Sequence, residues 1–490
     1  MRLVSTRNTK KQVNPTEAIV QGLSNDGGLF APTSFPEICL ETIVNFERYD
    51  ELVSFVAAAF LSDFTREELG KLAAAAYKDF PKDAAPVVSL NKNTHILELF
   101  HGPTLAFKDF ALQLLPRLLT SALKKTEVDK TVVILTATSG DTGSAALEGF
   151  GSVEGAKICV FYPQSGISNV QKLQMTSQSS KNAKVIGLKG NFDDAQSGVK
   201  RIFSDSELVA QLNEQGYILS SANSINWGRI VPQIAYYFWA YRNLVRSKTI
   251  AVGELINIAV PTGNFGNILA AYYAKKCGLP VRKLICASNS NNVLSDFISK
   301  GIYDKNRGFH VTLSPSMDIL VSSNLERFLF ELYNHDDGAV KELMQQLATT
   351  GRYEISPEAL AKMQDIFHAD YADDNDTLKS VSDVWQSHGY LSDTHTAVAI
   401  KVHEEYVEMT GDDTHTIIAS TASPFKFADS TLSALGEPIE GDDFERLTKL
   451  SSISGISVPK ALMELSQKEE QHKAVCSPDE MKGQVLDWLV

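Results

Sequence analysis

The sequence lacks the features that mark several classes of protein. Its five cysteines are an odd number and no two are spaced as C-x-x-C, so we predict neither a disulfide framework nor a structural zinc site. No apolar run approaches the length of a membrane span, and residues 1–13 have no apolar segment of the kind that a secretory signal carries. These absences predict a cytoplasmic protein with reduced thiols and no contact with a membrane.

An excess of basic residues is also missing. The 59 acidic residues outnumber the 46 lysines and arginines, which gives a formal net charge of −13. Because nucleic-acid binding needs a basic face, we expect no nucleic-acid partner. An anionic small molecule stays open as a substrate, since a pocket can be locally basic. The chain of 490 residues is too long for one hydrophobic core, so we expect two to four domains.

Strands and helices alternate through most of the chain. Apolar runs rich in β-branched residues are followed by segments with apolar residues at helical spacing. This rhythm predicts an α/β fold with parallel sheets covered by helices on both faces. We predict an N-terminal domain at 1–92, a small α/β domain at 93–250, a large α/β domain at 251–430 with a helical insertion at about 300–390, and a helical C-terminal segment at 431–490.

Three turns between a strand and the following segment are rich in glycine and small hydroxyl groups. Open α/β sheets bind ligands beyond the carboxyl ends of their strands. The turns at 136–144 and 261–267 offer backbone amides that suit a carboxylate or a phosphate, and the turn at 420–424 offers hydroxyls. The first and third, taken alone, are also consistent with ordinary capped turns. The second is neither a Walker loop nor a G-x-G-x-x-G turn, so a dinucleotide is not expected.

Lys108 is predicted to start an apolar-striped helix that Pro116 kinks. The positive end of a helix dipole lowers the pKa of an amine. A lowered pKa favours the neutral nucleophile that a Schiff base requires. The alternative interpretation is a surface lysine paired with Asp109.

Several motifs in a fixed order indicate that these features belong to one kind of site. They are STRN, LSNDGGLFAP, LELFHGPTLAFKDF, ATSGDTGSAA, ANSINWGRIVPQ, PTGNFGN and STASPFKF. This series resembles threonine synthases of the fungal and enterobacterial type, from about residue 3 to residue 430. The resemblance implies the fold type II architecture of pyridoxal 5′-phosphate (PLP) enzymes, together with an N-terminal domain.

The resemblance also implies how the cofactor is held. Lys108 would be the catalytic residue and would carry PLP as a Schiff base. Thr421 would form a hydrogen bond with the pyridine nitrogen. The cofactor phosphate would bind to the loop formed by Gly263, Asn264, Phe265, Gly266 and Asn267.

Two further groups of residues are implied to bind substrate. Thr138, Ser139, Asp141 and Thr142 would form the loop that receives the substrate carboxylate. The carboxylate of Asp141 would repel that of the substrate unless it is protonated or turned aside. The substrate phosphate would bind to Asn223, Ser224 and Arg229, with Asn226 assisting, because a guanidinium group fits a phosphate. His395 matches another family motif and is assigned no role.

The implied reaction converts O-phospho-L-homoserine and water to L-threonine and phosphate, by γ-elimination and β-addition of water. A dehydratase, or a lyase acting on phosphothreonine, is an alternative within the same fold. The second phosphate site argues against a plain dehydratase but leaves the phosphothreonine lyase open. Retention of Lys108 and of all the loops disfavours a non-catalytic relative. We expect a monomer or a homodimer.

Overall fold

The computed structural model describes residues 1–138, 140–151, 153–164 and 167–489, without the side chain of Asp193. The chain begins with a small antiparallel sheet of order β2-β1-β3 and a group of helices. Its elements are β1 (Leu3–Ser5), β2 (Asn8–Val13), α1 (Pro15–Gln21), β3 (Phe30–Pro32), α2 (Leu40–Val44), α3 (Tyr49–Phe60) and α4 (Arg66–Ala76).

The middle of the chain supplies four of the five strands of a small sheet. The elements here are β4 (Val87–Ser89), β5 (Thr94–Glu98), α5 (Lys108–Leu112), α6 (Leu115–Lys125), β6 (Thr131–Ala137), α7 (Asp141–Gly151), β7 (Ala156–Pro163), α8 (Asn169–Thr176), β8 (Ala183–Leu188), α9 (Phe192–Ser204), α10 (Ser206–Glu214), β9 (Tyr217–Ser220) and α11 (Trp227–Arg246). Strands β6 to β9 are parallel neighbours in this small sheet, which has β9 at one edge.

The rest of the chain completes a second, six-stranded sheet. Its elements are β10 (Ile256–Pro261), α12 (Gly266–Lys276), β11 (Val281–Ser288), α13 (Val293–Lys300), β12 (Ile302–Asp304), α14 (Leu325–Leu332), α15 (Asp337–Thr350), β13 (Arg352–Glu354), α16 (Pro357–Ile366), β14 (Phe367–Tyr371), α17 (Asp374–His388), α18 (Thr394–Thr410), β15 (Thr416–Ser420), α19 (Ala428–Ala434), α20 (Asp443–Ser454), α21 (Lys460–Met463), β16 (Val475–Cys476) and α22 (Met481–Leu489). Short 3₁₀ turns lie at Pro315–Met317, Pro424–Phe427 and Glu464–Gln467.

The large sheet has the order β14-β11-β10-β15-β5-β4 and is parallel except for β4. All residues of β10 and β15 are buried, as expected for strands covered on both faces. The described structure therefore agrees with the predicted α/β class. Turns that follow β5, β10 and β15 leave the sheet at its carboxyl edge, where the rule for open sheets places ligands.

The strands are grouped differently from the predicted sequence ranges. Strand β5 lies within the range 93–250, which was predicted as the small domain, but it pairs with β15 in the large sheet. On its other side it pairs with β4, so the large sheet continues through it. The insertion at about 300–390 is not purely helical, since β14 forms an edge of the large sheet and β12 pairs with β13. The last segment adds β16 to the small sheet beside β8. The domain boundaries themselves stay a prediction.

The lysine helix is short and is supported by the N-terminal part of the chain. Helix α5 ends at Leu112, and α6 begins at Leu115 with Pro116 in its first turn, where a missing N–H has no cost. The expected kink is therefore a break between two helices. Below α5, Phe110 packs against aromatic rings of the N-terminal part, and Tyr77 Oη donates to its carbonyl oxygen at 2.7 Å.

Close contact between α5 and α7 depends on Gly149. A Cβ atom at this position would lie 1.9 Å from the carbonyl oxygen of Leu112, whereas one at Gly70, within α4, would meet nothing within 4 Å. We expect Gly149→Ala to lower the free energy of unfolding by about 1–3 kcal/mol. Gly70→Ala should instead raise it by about 0.5–1 kcal/mol, because alanine favours a helix interior. Urea unfolding measures both, and equal effects would contradict the close helix contact.

Candidate active site

Lys108 and Thr421 are brought together by a short backbone pairing. The Phe107 amide donates to the Thr421 carbonyl oxygen at 2.8 Å, and the Ser423 amide donates to that of Leu105 at 3.1 Å. An isolated bridge joins Ala106 and Ala422 between these two bonds. The turn after β15 thus lies against the start of the lysine helix.

The amine of Lys108 lies in a polar, mostly buried environment. Its side chain is 12% exposed, and Nζ donates to Ser316 Oγ at 3.1 Å and lies 3.7 Å from Asp141 Oδ2. Burial lowers the pKa of Lys108 to about 8, and the positive charges of Lys426 and Arg229 act in the same direction against that of Asp141. A substantial neutral fraction is therefore present near physiological pH, which suits a nucleophile.

The alternative pairing of Lys108 with Asp109 is not formed. Asp109 is fully buried and accepts hydrogen bonds from the amide and hydroxyl of Thr104, at 2.9 and 2.7 Å. Burial raises the pKa of this carboxyl group to about 6. Its role is to close the turn at Gly102, where a Cβ atom would lie only 2.5 Å from the Cβ of Asp109.

The carboxylate of Asp141 is held by a second buried lysine. Lys426 Nζ lies 2.7 Å from Asp141 Oδ1, which also accepts from Gln171 Nε2 at 2.9 Å. Ser316 Oγ donates to the other oxygen, Oδ2, at 3.1 Å. Burial alone would raise the pKa of Asp141, but Lys426 and Lys108 outweigh it and the pKa falls far below its usual range. Asp141 is therefore an anion turned toward Lys426.

Thr138, in the turn at 136–144 that also contains Asp141, stabilises the start of α7. Thr138 Oγ1 accepts from the amides of Gly140 and Gly143, at 3.0 and 2.9 Å, and so caps the start of α7. Thr142 is half-buried on the first turn of that helix. Ser139, which was also predicted to bind the substrate carboxylate, lies outside the described residues.

The second loop forms a cradle at the start of α12. Phe265 has a left-handed backbone (φ 61°) and a buried ring, so only its backbone faces outward. Gly263 lies so close to the 3₁₀ turn 315–317 that a Cβ atom would be 2.7 Å from the Ser316 carbonyl oxygen. Asn267 Oδ1 accepts from Tyr236 and Tyr237, which leaves its buried Nδ2 without a partner. Gly266 begins the helix, and Asn264 is exposed.

Arg229 is a buried cation without a carboxylate partner among the described residues. It is 3% exposed, its Nη1 donates to the Ala222 carbonyl oxygen at 2.6 Å, and its Nε has no partner. Burial lowers the pKa of this guanidinium to about 10, so it stays charged at neutral pH. An unpaired buried donor on a cation is the kind of group that an anionic ligand satisfies.

Asn324 joins the loop before Arg229 to the cradle. Its Nδ2 donates to Ser224 Oγ and to the Asn264 carbonyl oxygen, both at 3.0 Å. Asn223 is half-buried beside Ser224. Asn226, expected to assist with phosphate, instead caps α11 and donates to the carbonyl oxygens of Ile19 and Ser221. Its side chain is therefore committed to holding the loop.

Sequence reasoning missed four residues of this site. Lys426 was present in the motif STASPFKF, but nothing in its spacing indicated a partner at Asp141. Ser316 and Asn324 lie in a region that was difficult to interpret, and no pattern singled them out. His395, which was left without a role, accepts a hydrogen bond from the Ser316 amide at 3.1 Å.

The residues present fit PLP. Its phosphate matches the amides that begin α12, which have no partners within the helix, and the free Nδ2 of Asn267. Its aldehyde matches an amine of lowered pKa at Lys108. Within the described residues, no group of three or more potential ligands could hold a metal ion, and no helix is long and apolar enough to cross a membrane.

Comparison with known proteins gives the same class. Residues 86–418 match the family described as pyridoxal-phosphate dependent enzyme, so the fold and the site define a PLP enzyme of fold type II. Residues 2–77 match the threonine synthase N terminus, and residues 396–484 match the threonine synthase C-terminal family. The chain belongs to the threonine synthase family.

Individual relatives agree with this assignment. The chain is 40% identical to threonine synthase from Pseudomonas aeruginosa over 434 residues, covering 88% of this chain and 89% of the relative. It is 40% identical to human threonine synthase-like 1 over 482 residues, with 95% of this chain covered, but spans only 64% of that relative's length.

Solved structures of the family match nearly the whole chain. PLP-bound threonine synthase from Brucella melitensis has a TM-score of 0.88 at 37% identity, covering 100% of this chain and 98% of that one. Threonine synthase from yeast has a TM-score of 0.89 at 32% identity, with the same coverage. The predicted family, fold class and cofactor are confirmed.

The lowered pKa of Lys108 has a consequence for stability. Between about pH 8 and the ordinary lysine pKa of about 10.4, the folded state has lost a proton that the unfolded state keeps, so raising the pH favours folding. We expect Lys108 to contribute a rise in the free energy of unfolding of up to about 1.4 kcal/mol per pH unit. Urea unfolding of cofactor-free protein from pH 8 to 9.5 measures it.

Lys108→Met should lose this rise, whereas Lys124→Met, at an exposed lysine of α6, should keep it. The difference between the variants matters, because the buried tyrosines act in the opposite direction at higher pH. Equal slopes for wild type and Lys108→Met would contradict the lowered pKa.

Proposed function

We propose that this chain is a threonine synthase that converts O-phospho-L-homoserine and water to L-threonine and phosphate. The observation that carries the proposal is Arg229, a buried guanidinium with an unpaired Nε, close enough to Lys108 for its charge to lower the pKa of that amine. It provides an anion site separate from the 263–267 cradle. The cofactor phosphate would occupy the cradle, and the phosphate of a phosphorylated substrate would occupy the site at Arg229.

In this proposal, each group of residues has one role. Lys108 holds the cofactor, and the loop Gly263, Asn264, Phe265, Gly266 and Asn267 binds the cofactor phosphate. Thr421, whose carbonyl oxygen accepts from the Phe107 amide, contacts the pyridine nitrogen. The substrate phosphate binds to Arg229 with Asn223 and Ser224. Thr138, Ser139 and Thr142 receive the substrate carboxylate at the start of α7, where the helix dipole favours an anion.

Asp141 acts differently from its neighbours in the loop. Because Lys426 keeps it ionised, it would repel the substrate carboxylate and is therefore not a ligand for it. It instead balances the charge of Lys108 whenever that amine carries a proton. This role also explains why an acidic side chain is tolerated beside an anionic substrate.

The mechanism places the proton transfers on Lys108 Nζ. PLP, when bound, supplies the electron sink that weakens bonds at the substrate α-carbon. Lys108 takes the α-proton once its nitrogen is free, and Asp141 stabilises the resulting ammonium group. Arg229 holds the phosphate group, which departs from the γ-carbon as an anion. A second proton leaves the β-carbon as the phosphate departs, and the γ-carbon then gains a proton. Water adds at the β-carbon, and Lys108 returns a proton to the α-carbon.

An assay with two phosphoesters tests the proposal. Purified protein with PLP is given O-phospho-L-homoserine or O-phospho-L-threonine, and phosphate and amino acids are quantified. We expect equal amounts of phosphate and threonine from O-phosphohomoserine. Phosphate release from O-phosphothreonine alone would support the lyase instead, and no reaction with either would refute both.

Arg229→Ala tests the second anion site. Loss of a charge-assisted contact to phosphate, worth about 1.5–3 kcal/mol, should lower kcat/KM for O-phosphohomoserine at least roughly tenfold. The absorbance of bound cofactor should be unchanged. Arg229→Lys should lie between the two, because lysine keeps the charge but loses the planar fork.

Arg246→Ala is the matched control, since Arg246 lies in the last turn of the same helix and pairs with Glu47 at the surface. It should retain wild-type kinetics. A mutant of Arg229 that lost the cofactor but kept its affinity for substrate would show that the two phosphate sites are exchanged.

A further inference from the structure

The loop between β12 and α14 places a hydroxyl group directly on Lys108. Ser316, in the 3₁₀ turn Pro315–Met317, accepts from Lys108 Nζ at 3.1 Å and donates to Asp141 Oδ2 at 3.1 Å. The hydroxyl has one proton, and that proton is committed to Asp141. Ser316 therefore presents only its lone pairs to the lysine.

A buried Asp–His pair holds this serine in place. The Ser316 amide donates to His395 Nε2, so the ring proton is on Nδ1, which lies 2.9 Å from Asp393 Oδ1. Both residues are almost fully buried, at 2% and 0% exposure. His395 contacts the backbone of Ser316 and not its hydroxyl, so this is not a nucleophilic serine triad. The pair fixes the position of the turn.

We propose that Ser316 is a catalytic residue that orients the amine of Lys108 for proton transfer, and that His395 and Asp393 are its positioning residues. The inference rests on the proposed function, because it concerns the lysine assigned there to the cofactor. Ser316 lies outside all of the motifs that carry the family resemblance.

The geometry explains how the orientation works. A neutral amine has two N–H groups and one lone pair, and here one N–H donates to Ser316 Oγ at 3.1 Å while the anionic Asp141 Oδ2 lies 3.7 Å away on the same side of Nζ. With that N–H held by Ser316 and a negative charge beside it, the lone pair points away from both oxygens. After Lys108 takes a proton, the same two oxygens stabilise the ammonium group. Ser316 therefore assists the amine both before and after the transfer.

Removing the hydroxyl should change two rates in opposite directions, lowering turnover and raising the rate of PLP capture at low pH. Turnover should fall, because the lone pair is no longer oriented. The pKa of Lys108 should also fall, because a hydrogen bond that stabilises the ammonium form is lost while Asp141, Lys426 and Arg229 still face the amine. A larger neutral fraction then captures free PLP faster at low pH. A merely damaged site would be slower in both reactions.

The test compares Ser316→Ala with Ser314→Ala. Ser314 lies two residues away in the same loop, is buried, and accepts from Asn289 Nδ2 without contacting Lys108. Two measurements are made on the full chain: steady-state kinetics with O-phosphohomoserine, and the rate at which cofactor-free protein regains the absorbance of bound PLP from pH 6 to 9.

For Ser316→Ala, we expect kcat to fall at least about tenfold with KM changed much less. We also expect the pH profile of PLP capture to move to lower pH. Ser314→Ala should match the wild type in both. His395→Gln should resemble Ser316→Ala in direction but with a smaller effect, because the turn is loosened and the hydroxyl is kept.

If Ser316→Ala behaves like Ser314→Ala in both measurements, the inference is wrong while the proposed function stands. The same holds if Ser316→Ala slows turnover and capture together with no shift of the pH profile. If Lys108→Ala captures PLP with the same absorbance as wild type, the lysine assignment itself fails, and the inference fails with it.

Discussion

The buried ion pair between Asp141 and Lys426 is the interaction on which the site depends. It joins the first turn of α7, on the small sheet, to the 3₁₀ turn that follows β15 in the large sheet. Two charges in such a place are costly to bury unless their remaining donors and acceptors are satisfied. Here Gln171, Ser316 and the Thr104 carbonyl oxygen complete the pair. The pair is therefore a fully hydrogen-bonded polar contact between elements of the two sheets.

This ion pair also sets the electrostatics around Lys108. Asp141 is shared, with Lys426 on one oxygen and Lys108 near the other. Because Lys426 already neutralises the carboxylate, Lys108 gains less from it than an isolated pair would provide, and burial prevails in lowering its pKa. With Arg229 nearby, the site has more positive than negative charge. A chain with a net charge of −13 thus contains a pocket suited to phosphate groups.

Part of this site could be predicted because several of its residues follow strands that can be recognised from the local sequence. Lys108, Thr421 and the loop at 263–267 each follow a strand of the large sheet, and parallel strands bring their ends to one edge. The contact between residues 141 and 426, in contrast, spans nearly 300 positions and depends on how two sheets dock. Ser316 and Asn324 belong to a connection without regular structure, and for such segments periodicity gives no information.

In the fold as well, some strands could be recognised from local sequence and others could not. Strands such as β6 and β10 were predicted because nearly all of their residues are buried and most are apolar. Strand β14 was missed because its sequence, FHADY, is short and polar, as an edge position allows. Strand β5 lies in the range predicted as the small domain but pairs with β15, more than 300 residues away, and pairing at that distance leaves no local signal.

Lys108 and Lys426 both flank the carboxylate of Asp141, and the account requires that Lys108 carries the cofactor. The holoprotein is reduced with borohydride, digested, and the peptide that carries the reduced cofactor is identified by mass spectrometry. The account predicts a single modified peptide, labelled at Lys108, whose amine is partly neutral and partly exposed. A label on Lys426, or on any other lysine, would contradict it.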